Sequence, residues 1–217
     1  MQFLNNIPRV TKNLIIINVI IFLATLVNKE FMISNFALFY PKSHWFHWWQ
    51  VITHMFMHGN FWHIFVNMWG LLMFGSALER AIGSKKYLLF FFVTGLGALL
   101  IHIGVQYLQV QSLMAAGASS QQAYYDILRT PTLGASGALY GIQIGYAMLY
   151  PNDKWTLLFP PVTLKAKWFV LIFIGIELFT GVTGTLDGIA HFAHLGGALF
   201  GFLMILYWKK KGTLWKY

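Results

Sequence analysis

The sequence contains no cysteine, which excludes disulfides, thiolate catalysis and cysteine-ligated metals and leaves the redox compartment unmarked. Charge is scarce too: 10% of the residues are Asp, Glu, Lys or Arg, and only six are acidic, at Glu30, Glu79, Asp126, Asp153, Glu177 and Asp187. The strict apolar–polar alternation of a half-buried strand is absent, so no segment reads as sheet. There is no internal repeat and no low-complexity tract. No small-residue cleavage site follows the first apolar block, so that block is expected to stay as a spanning helix and not to leave as a signal peptide.

What the chain does have is apolar length. Of 217 residues, 58% are hydrophobic, and they come in six blocks: Asn13–Asn28, Phe61–Leu78, Tyr87–Val105, Leu133–Tyr150, Trp168–Val182 and Gly188–Trp208. A spanning helix needs about 20 residues, so the first and fifth blocks must borrow from their flanks. Lipid offers no partner to an open strand edge, and the blocks are therefore helices. The expected fold is an all-α polytopic membrane protein with six transmembrane helices in one domain, 1–217. The net charge of +9 invites a nucleic-acid reading, but the cations sit at the ends of apolar blocks, where they act as topology signals. Twelve Lys and Arg share a side with the N-terminus, and three (Lys29, Lys42 and Arg129) lie opposite. That asymmetry predicts cytoplasmic termini, 1–12 and the basic tail 209–217. Two long outer segments remain. The aromatic stretch Lys29–Gly59 is expected to lie at headgroup depth, and the polar stretch Gln109–Thr130 is expected to be mobile.

The chemistry-bearing residues gather near the outer ends of three blocks. In the fourth, Thr132-Leu-Gly134-Ala-Ser136-Gly137-Ala-Leu-Tyr140-Gly141 puts one hydroxyl at the head of a glycine-lined helix. Ser136 could be a packing residue bonded to a helix carbonyl, or a nucleophile kept accessible by its small neighbours. In the second, His63 and Asn67 are four apart and share a face. Asn67 alone reads equally well as an interhelical hydrogen bond. In the sixth, His194, Gly197 and Gly201 form one stripe, so the imidazole stands above a groove in which Gly134 and Gly137 of the fourth helix could dock. Such docking would carry His194 toward Ser136, and a neutral imidazole accepting a hydroxyl proton is the simplest activation of a serine. His191, three residues earlier, is the rival base; His194 is preferred because glycines follow it at +3 and +7. His44, His47, His54 and His102 read as packing or interface residues, and His58 as part of a water-accessible approach.

These pieces resemble the rhomboid intramembrane serine proteases. The matches are Gly134-Ala-Ser136-Gly137 with Tyr140, His63-Ile-Phe-Val-Asn67, Ala190-His-Phe-Ala-His194-Leu-Gly-Gly197-Ala-Leu-Phe-Gly201, and Glu79-Arg80, spread over a core of about 45–208. The resemblance implies a six-helix rhomboid-like bundle. Ser136 would be its nucleophile and His194 its general base, and His63, Asn67 and the Ser136 N–H would stabilise an oxyanion. It further implies that Tyr140 rests against the His194 ring and that Gly197 and Gly201 let two helices touch. One departure is Trp49-Gln50, where the family has Trp-Arg, and it bears on how the first loop is anchored. By resemblance, the fifth helix and the loop Thr183–Gly188 are candidates to move for substrate.

Two other motifs fail. Position 138 is alanine, so this is not a Gly-x-Ser-x-Gly elbow, and Met55 replaces the glutamate that His54-x-x-x-His58 would need in a zinc protease. No metal or other cofactor is expected. The sequence also offers no third member for a Ser-His-acid triad, since Asp187 lies two turns from His194. The expected activity is hydrolysis of peptide bonds in or near transmembrane segments by a Ser-His dyad, toward the outer face of a bacterial cytoplasmic membrane. The expected partners are transmembrane substrates and the bilayer, with no nucleic acid. The alternative is a catalytically inactive relative that binds and escorts membrane proteins.

Overall fold

The structure, a computed structural model, describes residues 6–117, 121–156, 161–183 and 188–214, with the backbone alone at 188–190. Five helices are long and apolar enough to cross a bilayer: α1 (Arg9–Val27), α4 (Phe61–Ile82), α5 (Ser84–Ala115), α8 (Ala166–Thr183) and the stretch His191–Lys210 of α9 (Gly188–Lys210). The two short blocks do borrow from their flanks, reaching 19 residues in α1 and 18 in α8. The remaining expected span is α7 (Ser136–Leu149), with 14 residues. It starts late because Thr132 is tied to Leu38 in a backbone bridge and Gly134 takes φ 128°, which no helix permits. Among the described residues five helices therefore reach spanning length, and α7, expected as the sixth, is a shorter helix packed against α5 and α9.

α7 can be short because it meets protein on most sides. Its buried residues include Ala138, Leu139, Gly141, Ile142, Gly145 and Tyr146. At its crossing with α9, a Cβ on Gly201 would come within 2.6 Å of the Gly141 carbonyl oxygen, and one on Gly197 would run into the Gly137 carbonyl oxygen. Backbone therefore packs on backbone. The outward faces are apolar: Ile20, Leu23, Val66, Ile172, Phe179 and Leu203 are all well exposed, as lipid-facing positions should be.

Glu79 ties the bundle at the other end. It is 2% exposed and accepts from the N–H groups of Val10 (3.0 Å) and Thr11 (2.7 Å), from the Thr11 hydroxyl (2.8 Å) and from the Ser84 hydroxyl (2.6 Å). A carboxylate thus satisfies the first-turn N–H groups of α1.

Several expectations about the loops change. Gln109–Thr130 is mostly helix, because α5 continues to Ala115 and α6 (Gln121–Arg129) follows, with Ile127 packed on Val110 and Tyr40. Lys29–Gly59 contains α2 (Lys29–Phe36), α3 (Gln50–Thr53) and a 3₁₀ turn (His54–Phe56). Two three-residue strands, β1 (Lys154–Thr156) and β2 (Thr163–Lys165), pair antiparallel after α7 and are too short for periodicity to reveal. The first loop is anchored despite its glutamine. Gln50 is fully buried, its Oε1 accepts from Phe39 N–H (3.3 Å) and His47 N–H (3.1 Å), and its Nε2 faces the carbonyls of Ser34, Asn35 and Trp45. Asp187 and most of the loop Thr183–Gly188 lie outside the described residues.

Candidate active site

The segment leading into α7 is held by its backbone. Leu38 and Thr132 exchange both hydrogen bonds (2.9 and 2.8 Å), and Gly134 N–H donates to the His54 carbonyl at 2.9 Å. α7 then begins at Ser136, so its hydroxyl projects from a first turn whose N–H groups lack intrahelical partners. α4 begins nearby, capped by the Asn60 side chain, which accepts from His63 N–H at 2.8 Å. His63 leans over Gly134: a Cβ there would lie 2.7 Å from His63 Nε2, a space that glycine leaves open.

Ser136 and His194 meet. The Ser136 Oγ is 2.9 Å from His194 Nε2, bridging α7 and α9. His194, and not His191, is the histidine brought to the serine. Tyr140, one turn along α7, stacks on the His194 ring with centroids 4.4 Å apart and planes 8° from parallel. With Nδ1 carrying the imidazole proton, Nε2 is the lone-pair nitrogen that can accept from the hydroxyl.

Sequence reasoning left out Glu177. Its Oε1 accepts from the Tyr140 hydroxyl, and its Oε2 lies 2.5 Å from His191 Nδ1 and 3.1 Å from His194 Nδ1. The last contact is bent away from hydrogen-bond alignment, leaving His194 Nδ1 beside a carboxylate but not bonded to it. One acidic group therefore does lie beside the histidine, from the fifth spanning block and not from Asp187. A signal existed: Glu177 is the one acidic residue inside the block Trp168–Val182, and an ionisable group in an apolar span needs a reason.

Glu177, His191 and His194 are also the described residues whose donor atoms converge, within 4.8 Å of one another. Ligands on a tetrahedral zinc stand roughly 3.3 Å apart, given bonds of about 2.0–2.1 Å. The 2.5 Å Glu177–His191 contact is tighter, so the three would have to part to take an ion.

A cavity of about 210 Å³ opens beside the pair, walled by His63, Ser136 and His194 together with His54, His102 and Thr132. Asn67, expected at an oxyanion, and His58, expected on a water-accessible approach, do not line it. Asn67 is 3% exposed, and its amide donates to the His63 carbonyl at 2.8 Å within α4. His58 is fully buried, its ring edge-on to His63 with centroids 4.9 Å apart. His54 and His102, expected only to pack, are wall residues, and Thr132 Oγ1 lies 2.7 Å from His102 Nε2. Burial pushes the His54 imidazole down to about 4, and burial with His63 alongside pushes His58 down to about 3, so both are neutral at pH 7.

Known proteins are similar to this chain over most of its length. The family model described as Rhomboid domain matches residues 46–211, which contain His63, Asn67, Ser136, Tyr140, Glu177 and His194. Rhomboid protease AarA of Providencia stuartii is 28% identical over 89% of this chain and 70% of its own length. RHOMBOID-like protein 12, mitochondrial, of Arabidopsis thaliana is 33% identical over 79% of this chain and 49% of its own length. Rhomboid protein 1, mitochondrial, of Saccharomyces cerevisiae is 27% identical over 71% of this chain and 40% of its own length. The chain thus spans about half or less of the plant and yeast relatives. With the family model covering most of the chain, and with five apolar helices long enough to cross a bilayer, the chain is an integral membrane protein that belongs to the rhomboid family.

Proposed function

We propose that the chain is an intramembrane serine protease, cutting peptide bonds in or near transmembrane segments of other membrane proteins. One observation carries the reading: a serine hydroxyl 2.9 Å from an imidazole nitrogen, at the wall of a cavity inside an apolar bundle. Ser136 Oγ attacks the scissile carbonyl carbon while its proton passes to His194 Nε2. The carbonyl π pair moves onto oxygen. His194 then gives the proton to the departing amine, and a water activated by His194 releases the acyl group.

The oxyanion forms beside the α7 N-terminus, where the Ser136 N–H and the helix dipole favour negative charge. His63 faces the same space across Gly134. Asn67 steadies the turn that carries His63. Each such donor is typically worth about 3–4 kcal/mol in the transition state. Tyr140 fixes the plane of the imidazole by stacking. A substrate helix must unwind to present a carbonyl, so helix-breaking or small residues near its outer end are favoured.

The charge asymmetry supports cytoplasmic termini and a site toward the outer face, and the setting proposed with it is a bacterial cytoplasmic membrane. The whole chain, 1–217, is then one membrane domain with a core of about 45–208, and no metal or organic cofactor enters the mechanism.

A fluorophosphonate probe applied to the full chain in membranes tests this. Labelling and cleavage of a co-expressed single-span substrate should both be lost in Ser136→Ala and His194→Ala, with insertion unchanged. Label that persists in Ser136→Ala refutes the site. Wild-type protein that neither labels nor cleaves refutes the protease reading and favours the inactive relative.

A further inference from the structure

α8 buries Ala166, Val170 and Glu177 among its described residues, one stripe of a helix whose other faces are turned outward. The last of the three is a carboxylate inside an apolar span, a costly placement without partners. Its two oxygens are fully engaged. Oε1 takes the Tyr140 hydroxyl, while Oε2 faces Nδ1 of both His191 and His194. Since His194 touches Ser136 through Nε2, the serine, the imidazole and the carboxylate lie in succession across α7, α9 and α8.

We propose that Glu177 is a positioning residue that completes a Ser136–His194–Glu177 succession. It keeps the imidazole proton on Nδ1, leaves Nε2 free to accept, and is the counter-charge for the imidazolium formed during attack. The inference rests on the reading of Ser136 and His194 as nucleophile and base. In the step itself, the Ser136 O–H bond breaks, the Oγ–carbon bond forms, and the proton ends on His194 Nε2. Glu177 takes no proton and keeps its charge.

Two neighbours make the carboxylate a fixed object. Tyr140 binds one oxygen while its ring stacks on the same imidazole, so it sets both partners at once. His191 holds the other oxygen at 2.5 Å and draws it off line from His194. Alignment with His194 therefore comes at the expense of the His191 contact, and the positive charge that develops on His194 during attack supplies the pull. A role limited to tying α8 to α9 through His191 would leave the chemistry indifferent to the charge on Glu177.

Fluorophosphonate labelling of the detergent-solubilised full chain separates these roles, because the inactivation rate reads the nucleophile and the half-saturating concentration reads binding. Glu177→Gln keeps the shape and one acceptor oxygen for the Tyr140 hydroxyl but removes the charge and puts an amide donor where the other oxygen stood. It should lower the maximal inactivation rate about 100-fold or more while half-saturation changes less than twofold and the melting temperature holds. Glu177→Asp, which keeps the charge on a shorter stem, should fall between, about 5–10-fold below wild type. A folded Glu177→Gln that labels within threefold of wild type overturns the proposal. If Glu177→Gln does not fold, Glu177→Asp decides, and a wild-type rate there overturns it. Label that persists in Ser136→Ala instead defeats the underlying reading, a result separate from any behaviour of Glu177.

Discussion

Gly197→Ala is the sharpest test of the close crossing between α7 and α9. The added methyl would sit inside the van der Waals envelope of the Gly137 carbonyl oxygen, main-chain atoms that cannot swing aside. At Gly201 the corresponding approach to the Gly141 oxygen is 2.6 Å, against an ordinary contact of 3.4 Å or more, so the axes must part there by roughly 0.8 Å. At Gly197 the overlap is deeper, and that residue is one turn from His194. A separation of about 1 Å would stretch the 2.9 Å Ser136–His194 contact beyond hydrogen-bonding range. Misplacement on that scale costs on the order of 100-fold in rate, and overpacking costs about 1–3 kcal/mol in stability. Labelling rate and thermal unfolding in detergent should both fall, Gly197→Ala more than Gly201→Ala. Gly175→Ala on α8, where nothing lies within 4 Å, should leave folding intact and bounds the effect of a bare methyl. Full labelling by Gly197→Ala at an unchanged melting temperature would refute backbone contact as the means of bringing serine and histidine together.

Three further outcomes follow from buried polar groups. Gln50→Arg should destabilise the chain by about 2–3 kcal/mol in a denaturation assay, since arginine has no acceptor for the Phe39 and His47 N–H groups. His54 has a folded-state value of about 4 against about 6.5 unfolded, so the unfolded chain binds the proton first; stability is whole above pH 6.5 and falls as the pH drops toward 4, by on the order of 3 kcal/mol from this residue. Melting curves across that window should show the decline, shallower in His54→Gln. His58 is fully buried with neither ring nitrogen hydrogen-bonded among the described residues, so His58→Leu should unfold no earlier than wild type at pH 8.

The parts of the molecule that the sequence made legible are those whose cause is local or periodic. Apolar length marks the spans, and glycines three and seven residues past His194 mark the stripe that α7 fills. Short-range order without periodicity was not legible: α6 and the hairpin β1–β2 are set by packing against Val110 and Tyr40 and by a three-residue pairing register. The extent of α7 was also hidden, because it depends on the Leu38–Thr132 bridge, whose partners are 94 residues apart. Gln50 shows a different limit. A family pattern identified the position, but not that an uncharged amide could gather two N–H groups and three carbonyls where an arginine is usual.

Glu177 shows where the reasoning about the site stopped short. The family resemblance implies a dyad, and the one acid at helical spacing from His194, Asp187, lies two turns away. A histidine's partner need not lie on its own helix. The physical constraint was already present in the composition: with six acidic residues in the chain, a carboxylate placed in the middle of an apolar block has few ways to be tolerated, and the histidines of the neighbouring helix are the partners it meets. Among the described residues of the spanning helices, Glu79 is stabilised by backbone N–H groups at a helix start, whereas Glu177 is stabilised by a phenol and two imidazoles. The first arrangement fixes an architecture. Under the proposed function, the second places a charge next to a group that gains one during attack, which is why the labelling rate, more than the melting temperature, should respond when that charge is removed.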